Sequence, residues 1–163
     1  MTELHVHAGW PPGAEADWQL AERGNAVVMH EMRPVRGTEA HKTDRLAELV
    51  CSNTFKSTET SNAHGLLKAE MRLLGSMILE CADDARVPGG SALTVDRDVF
   101  SADVNARVLA RPRLPVLREA ASALPPPALV ATAPLTPAAS PEPIRSRLGA
   151  HSWSVSAAIP PRL

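Results

Sequence analysis

The stretch that most constrains the fold is HVHAGWPPGAEADWQLAERGNAVVMHEMRP, residues 5 to 34. A short alternating strand, Leu4 to His7, runs into a glycine-containing turn. Good helix formers follow over Glu15 to Arg23, with Ala14, Trp18 and Ala21 on one face, and Gly24 stops them. Ala26 to His30 is a continuous apolar run of strand length, the pattern of a parallel strand covered on both faces. Glu31 comes next. Strand, glycine turn, helix, strand and acid is the order of a dinucleotide-binding unit.

The chemistry of such a unit sets strict demands on the turn. One glycine makes the tight bend, a second lets the backbone approach a pyrophosphate, and a third lets helix and strand pack closely. Aligned on Gly13 as the third glycine, Ala8 takes the first position and Trp10 the second, followed by Pro11 and Pro12. Ala8 suits a backbone that keeps φ negative, but an indole at position 10 occupies space the pyrophosphate needs. By itself this is a weak fingerprint. Glu31, 18 positions after Gly13, stands where an acid would bind a ribose hydroxyl, although a solvent-exposed glutamate at a strand end is the ordinary alternative.

Beyond Arg33 the chain is polar and irregular to about residue 62, with one short helical turn expected near Asp44–Val50. Asn62 can cap a helix that the pattern extends to about Arg86. In it Leu67, Met71, Leu74, Ile78 and Cys81 repeat at spacings of four and three, one apolar stripe. Pro88-Gly89-Gly90 ends it, Ser91 to Val95 reads as a strand, and Asp96 caps a helix carrying Phe100, Val104 and Val108. Leu114 to Arg118 reads as a strand that Pro115 confines to an edge. The order β-α-β-α-β-α-β predicts an α/β fold, Rossmann-like, with a mostly parallel sheet.

Eleven of the fifteen prolines fall after residue 111, and beyond residue 119 the charged residues are Glu142, Arg145, Arg147 and Arg162. The domain expectation is therefore a partial nucleotide-binding α/β unit over 1–120 and a Pro/Ala-rich, irregular tail over 121–163. A net charge of −1 supplies no global attraction for nucleic acid, so RNA would have to be held by a local patch. The chain shows no apolar run of membrane-spanning length and no signal-peptide layout at its start, and its two cysteines suit a reducing compartment. The expectation is a cytoplasmic protein.

Cys51 lies in LVCSNTF, near Lys42, Arg45 and Lys56 in sequence. A cysteine in an electropositive, accessible loop can be a nucleophile, and the plain alternative is a small buried residue. Cys81 shares the apolar stripe and reads as core. The six histidines show no metal spacing, so no metal is expected, and no nucleophile elbow supports a Ser/His/Asp hydrolase.

HEMRPVRGTEAHKTDRLAELVCSNTFKS, residues 30 to 57, resembles the signature block of the folate- and FAD-dependent tRNA (uracil-5-)-methyltransferases, the TrmFO family, relatives of the GidA-type tRNA-modifying flavoproteins. The resemblance continues through WQLAERG (18–24), NAHGLLKAEMRLLGSMI (62–78), PGGSALTVDRDVFS (88–101) and, more faintly, LVATAPLT (129–136). It implies an FAD-binding α/β fold, NAD(P)H as reductant, 5,10-methylenetetrahydrofolate as one-carbon donor and a T-loop uracil of tRNA as acceptor. By matching residue, Gly9 and Gly13 belong to the FAD pyrophosphate turn, Glu31 binds the adenosine ribose, and Arg33, Lys42 and Thr43 lie in the block around the cofactor. Cys51 matches an active-site cysteine, whose thiolate would add to uracil C6 and so activate C5.

The chain also departs from that pattern. The family turn reads like GGGLAG where this chain has Ala8-Gly9-Trp10-Pro11-Pro12-Gly13, and ATGP becomes Ala131-Thr132-Ala133-Pro134. SWSVSAAIPP (152–161) echoes an aromatic-rich family segment without its aspartate. Members are more than twice as long, so the expectation is a truncated, partly diverged N-terminal portion with impaired activity. The alternatives are a non-catalytic remnant and a GidA-type protein with another uridine target. The oligomeric state stays open.

Overall fold

A computed structural model describes residues 3–7, 9–112, 114–120 and 125–132. The first unit follows the expected order: β1 (Leu4–His7), α1 (Pro11–Glu22) and β2 (Val27–Glu31). α1 begins four residues earlier than its helix formers suggest, because Pro11 and Pro12 occupy its first positions, where a missing N–H breaks no intrahelical bond. It closes at Gly24, whose φ of +79° is a left-handed conformation that glycine adopts without strain. β1 and β2 run parallel, with Val6 opposite Met29 and His7 opposite His30. The partners Val6 and Met29 face the core, and the histidines face the other way.

The parallel sheet has four strands in the order β6-β2-β1-β7, with β6 (Val116–Arg118) on β2 and β7 (Ala128–Val130) on β1. β6 is the edge strand that Pro115 implied: Pro115 lacks an N–H but its carbonyl accepts from Met29 N at 3.0 Å. β7 is a correction. The proline-rich reading left 128–130 irregular, yet His5, Val6 and His7 pair there with Ala128, Leu129 and Val130. The run of three prolines ends at 127 and the next is Pro134, so every residue of β7 keeps its donor. Ala8, Ala133-Pro134 and SWSVSAAIPP lie outside the described residues.

Between β2 and β6 the chain builds a second, antiparallel sheet, β3-β5-β4, from Thr54–Ser57, Ala92–Val95 and Arg86–Val87. The strand expected at 91–95 therefore exists but pairs here, and β3 lies in a stretch read as irregular. Lys56 sits at φ +69°, a bulge that breaks the alternation by which β3 would be recognised. Nor does 44–50 form a helical turn. It bends at Leu46–Ala47, where Ala47 adopts φ +56° and donates its N–H to the Gly9 carbonyl.

The single long helix expected over 62–86 is two: α2 (Ala63–Leu73), capped by the Asn62 side chain, and α3 (Met77–Asp84). Gly75, at φ +73°, ends the first, and the Ser76 hydroxyl accepts from Leu79 N to start the second. The break divides the stripe. Leu67 and Leu74 are 56% and 70% exposed, while Ile78 and Cys81 are buried. α4 (Arg97–Leu109) is capped by Asp96, which accepts from Asp98 N and Val99 N. α1, α3 and α4 close on the Val6/Met29 side of the parallel sheet, around Phe100, Met77, Leu79, Val104 and Val108. Burial of such side chains at ~25 cal/mol per Å² is the main stabilising term.

Candidate functional site

The carboxyl ends of β1 and β2 open toward the loop over residues 38–48, the position at which a parallel sheet takes a nucleotide. Glu31, the last residue of β2, is 2% exposed, so it is not the solvent-facing strand-end glutamate that its position allows. A β-carbon on Gly9 would lie on its Oε2 atom; only glycine leaves the carboxylate its place. Arg33 clamps that carboxylate. Its backbone N–H and Nε both donate to Oε1 at 2.8 Å, and Nη2 donates to Oε2 at 3.2 Å. The same guanidinium reaches Glu48 at 3.2 Å, the Thr43 carbonyl at 3.3 Å and the Gly9 carbonyl at 3.5 Å.

Glu48 ties in the rest of the loop. It accepts from Lys42 N at 2.8 Å and from Thr43 N and Oγ1 at 3.1 and 2.9 Å. Burial alone would raise its pKa, but these donors hold it below the usual carboxylate value. Two carboxylates thus share one buried guanidinium. Arg118, from β6, donates to the carbonyls of Arg33 and Asp44 at 3.2 and 2.7 Å, which fixes the loop against the sheet edge. The structure therefore brings together Gly9, Glu31, Arg33, Lys42 and Thr43, with Lys42 entering through its backbone and its side chain exposed. Glu48 was missed by sequence reasoning. Its signal is an acid six residues after Lys42, which means nothing until the loop folds back.

Gly13 is the third residue of α1 and is buried. Trp10 is the N-cap, with φ −85° and ψ 164° and no side-chain cap, and its ring meets His41 edge-on at 5.1 Å. His41 Nδ1 lies 2.6 Å from Thr38 Oγ1, while its Nε2 is buried without a partner. Burial first, and then the Arg33 cation, hold its pKa below the ordinary value. Cys51 is exposed in the loop before β3, which excludes the small buried residue as its reading; among the described residues no side-chain hydrogen bond joins it to the Glu31 network. Cys81 is buried on α3, and burial with the nearby Asp103 pushes its thiol up to about 12.

On the other face of the sheet, His5 Nδ1 lies 3.0 Å from His30 Nε2, and His30 Nδ1 lies 2.8 Å from Glu119. His7 stacks on His30 at 4.4 Å, and burial with its two histidine neighbours lowers its pKa to about 4. Among the described residues no group of three or more His, Cys, Asp or Glu is placed to hold a metal ion, and no helix is long and apolar enough to cross a membrane.

The flavin dinucleotide implied by the resemblance can be tested against these residues. The ribose end fits in its chemistry, because among the described residues Glu31 Oε2 has only Arg33 Nη2 as donor and keeps capacity for a hydroxyl. The pyrophosphate end does not. Phosphate binding at a helix start uses the free N–H groups of the first turn, and Pro11 and Pro12 remove two of them.

Residues 6–134 match the family Glucose inhibited division protein A. The methylenetetrahydrofolate--tRNA-(uracil-5-)-methyltransferase TrmFO of Brucella anthropi is 49% identical over 166 residues, covering 99% of this chain and 35% of its own length. Its counterpart in Sinorhizobium medicae is 52% identical over 163 residues, covering 97% of this chain and 34% of its own length. That of Rhizobium meliloti is likewise 52% identical, with the same coverage. The chain thus spans about a third of the length of the curated relatives it matches.

Proposed function

The chain belongs to the Glucose inhibited division protein A family, and from that premise we propose that it carries the nucleotide-binding part of a folate- and FAD-dependent tRNA uracil-5-methyltransferase. One observation carries the reading: Gly9, Glu31, Arg33, Thr43 and Glu48 meet at the carboxyl ends of β1 and β2. In this reading Glu31 is the ribose acceptor, Arg33 is its positioning residue, and Lys42 and Thr43 keep Glu48 ionised so that Arg33 stays in place. Gly9 and Gly13 serve the close approaches of turn and helix. Cys51 is the thiol offered to the pyrimidine, and its exposed loop supports that role. tRNA is the partner, NAD(P)H the reductant and methylenetetrahydrofolate the carbon source, in the cytoplasm.

A second reading, a non-catalytic protein of the same descent, is favoured by the two prolines at the start of α1. The two readings separate in a methylation assay with FAD, NADPH, methylenetetrahydrofolate and unmodified tRNA. The chain alone should transfer no methyl group, because the chemistry needs flavin, folate and tRNA sites held in one geometry. Added to the remaining two-thirds of a relative as a second polypeptide, it should give a low turnover that Cys51→Ala removes. Turnover by the chain alone overturns the second reading, and complementation that survives Cys51→Ala overturns the role the first reading gives that thiol. No complementation at all leaves the second reading standing.

A further inference from the structure

The two ends of the nucleotide site differ in chemistry, and we infer that this chain binds a ribonucleoside through its ribose and gains no affinity from the phosphates attached to it. The inference rests on the nucleotide-site reading and narrows its ligand class.

Three observations carry it. First, Ala14 N already donates to the Trp10 carbonyl at 3.0 Å, and Pro11 and Pro12 have no N–H, so the first turn of α1 can offer a phosphate only Trp10 N and Gly13 N. Second, Arg33 is already committed to two carboxylates, Glu31 and Glu48, so its guanidinium offers an entering anion no free counter-charge. Third, a carboxylate accepts about four hydrogen bonds. Arg33 supplies three to Glu31, two on Oε1 and one on Oε2. The remaining capacity lies on Oε2, the atom seated over Gly9. A ribose hydroxyl can donate to it. A phosphate at neutral pH is itself an acceptor and cannot.

The test is equilibrium dialysis of the full chain against adenosine, 2′,3′-dideoxyadenosine and ADP, repeated on the double variant Pro11→Ala/Pro12→Ala. Adenosine and ADP should bind the unaltered chain within about threefold of each other, and the dideoxynucleoside at least about tenfold more weakly, the scale of one lost charge-assisted hydrogen bond. The double variant restores two donors, so ADP should gain at least about tenfold while adenosine is unchanged. Circular dichroism checks that the variant folds, and if it does not, the three ligands on the unaltered chain still decide. ADP binding more than about tenfold tighter than adenosine to the unaltered chain overturns the inference. So does equal binding of the dideoxynucleoside, or a folded double variant without the ADP gain. Failure of adenosine to bind at all overturns the underlying nucleotide-site reading, and the inference with it.

Discussion

Replacing Asp17 by alanine should stabilise this fold, and do so in a pH-dependent way. Asp17 is in the middle of α1, on the face that packs on the sheet and on α3 and α4, and it is 0% exposed. Neither carboxylate oxygen has a hydrogen-bond partner. Burial pushes its pKa from 3.8 up to about 8. At pH 7 the folded chain therefore holds a proton that the unfolded chain has released, and at 1.36 kcal/mol per pH unit the difference between 7 and 3.8 costs about 4 kcal/mol. Alanine removes that cost and leaves a small cavity, so a net gain of about 3 kcal/mol is expected, or roughly 6–12 °C in Tm. The sign with pH follows from proton counts. Between pH 4 and 8 the native state binds the extra proton, so the wild-type chain loses stability as pH rises, by up to ~1.4 kcal/mol per unit. His7 acts in the opposite sense: its folded pKa of about 4 lies below 6.5, so its contribution is lost as pH falls through that window. The two offset one another below pH 6.5, but His7 is common to both chains and cancels in their difference. Urea unfolding followed by circular dichroism from pH 5 to 8.5 measures that difference. A gap that widens toward pH 8 is expected. A gap that stays flat, or a variant less stable at pH 7, would refute the buried-carboxyl argument.

Two further outcomes follow from burial and geometry. Iodoacetamide should modify Cys51 at least about a hundredfold faster than Cys81, because the latter is buried with its thiol pushed to about 12 and reacts only through local opening; mass spectrometry reads the two sites, and equal rates would mean the α3 face is not packed. Gly9→Ala should cost about 3 kcal/mol or more in urea unfolding, since its methyl displaces the Glu31 carboxylate from a buried ion pair. An unchanged unfolding midpoint would mean that Glu31 is not seated over Gly9.

Much of the first unit was legible in the chain because its signals are local. An alternating run, a helix stopped by Gly24, an apolar strand and a terminal acid each act within a few residues. So do the caps at Asn62 and Asp96 and the edge placement of Pro115. Two misses also had local signals. Gly75-Ser76 is a stop followed by a start, but the apolar spacing of four and three runs straight across it and masks the break. Asp17 falls on the face defined by Ala14, Trp18 and Ala21, which already placed an unpartnered acid toward the core.

Other features had no local signal. β7 is a strand because β1 offers it hydrogen bonds across more than a hundred residues, and β3 because β5 does so across its bulge. The Glu31 and Glu48 carboxylates are held together only because Arg33 stands between them once the 38–48 loop folds back on Gly9. Periodicity and capping are properties of neighbouring residues and are written in their order. Strand pairing and shared counter-charges belong to residues far apart in the chain, and no order of letters specifies them until the chain has folded.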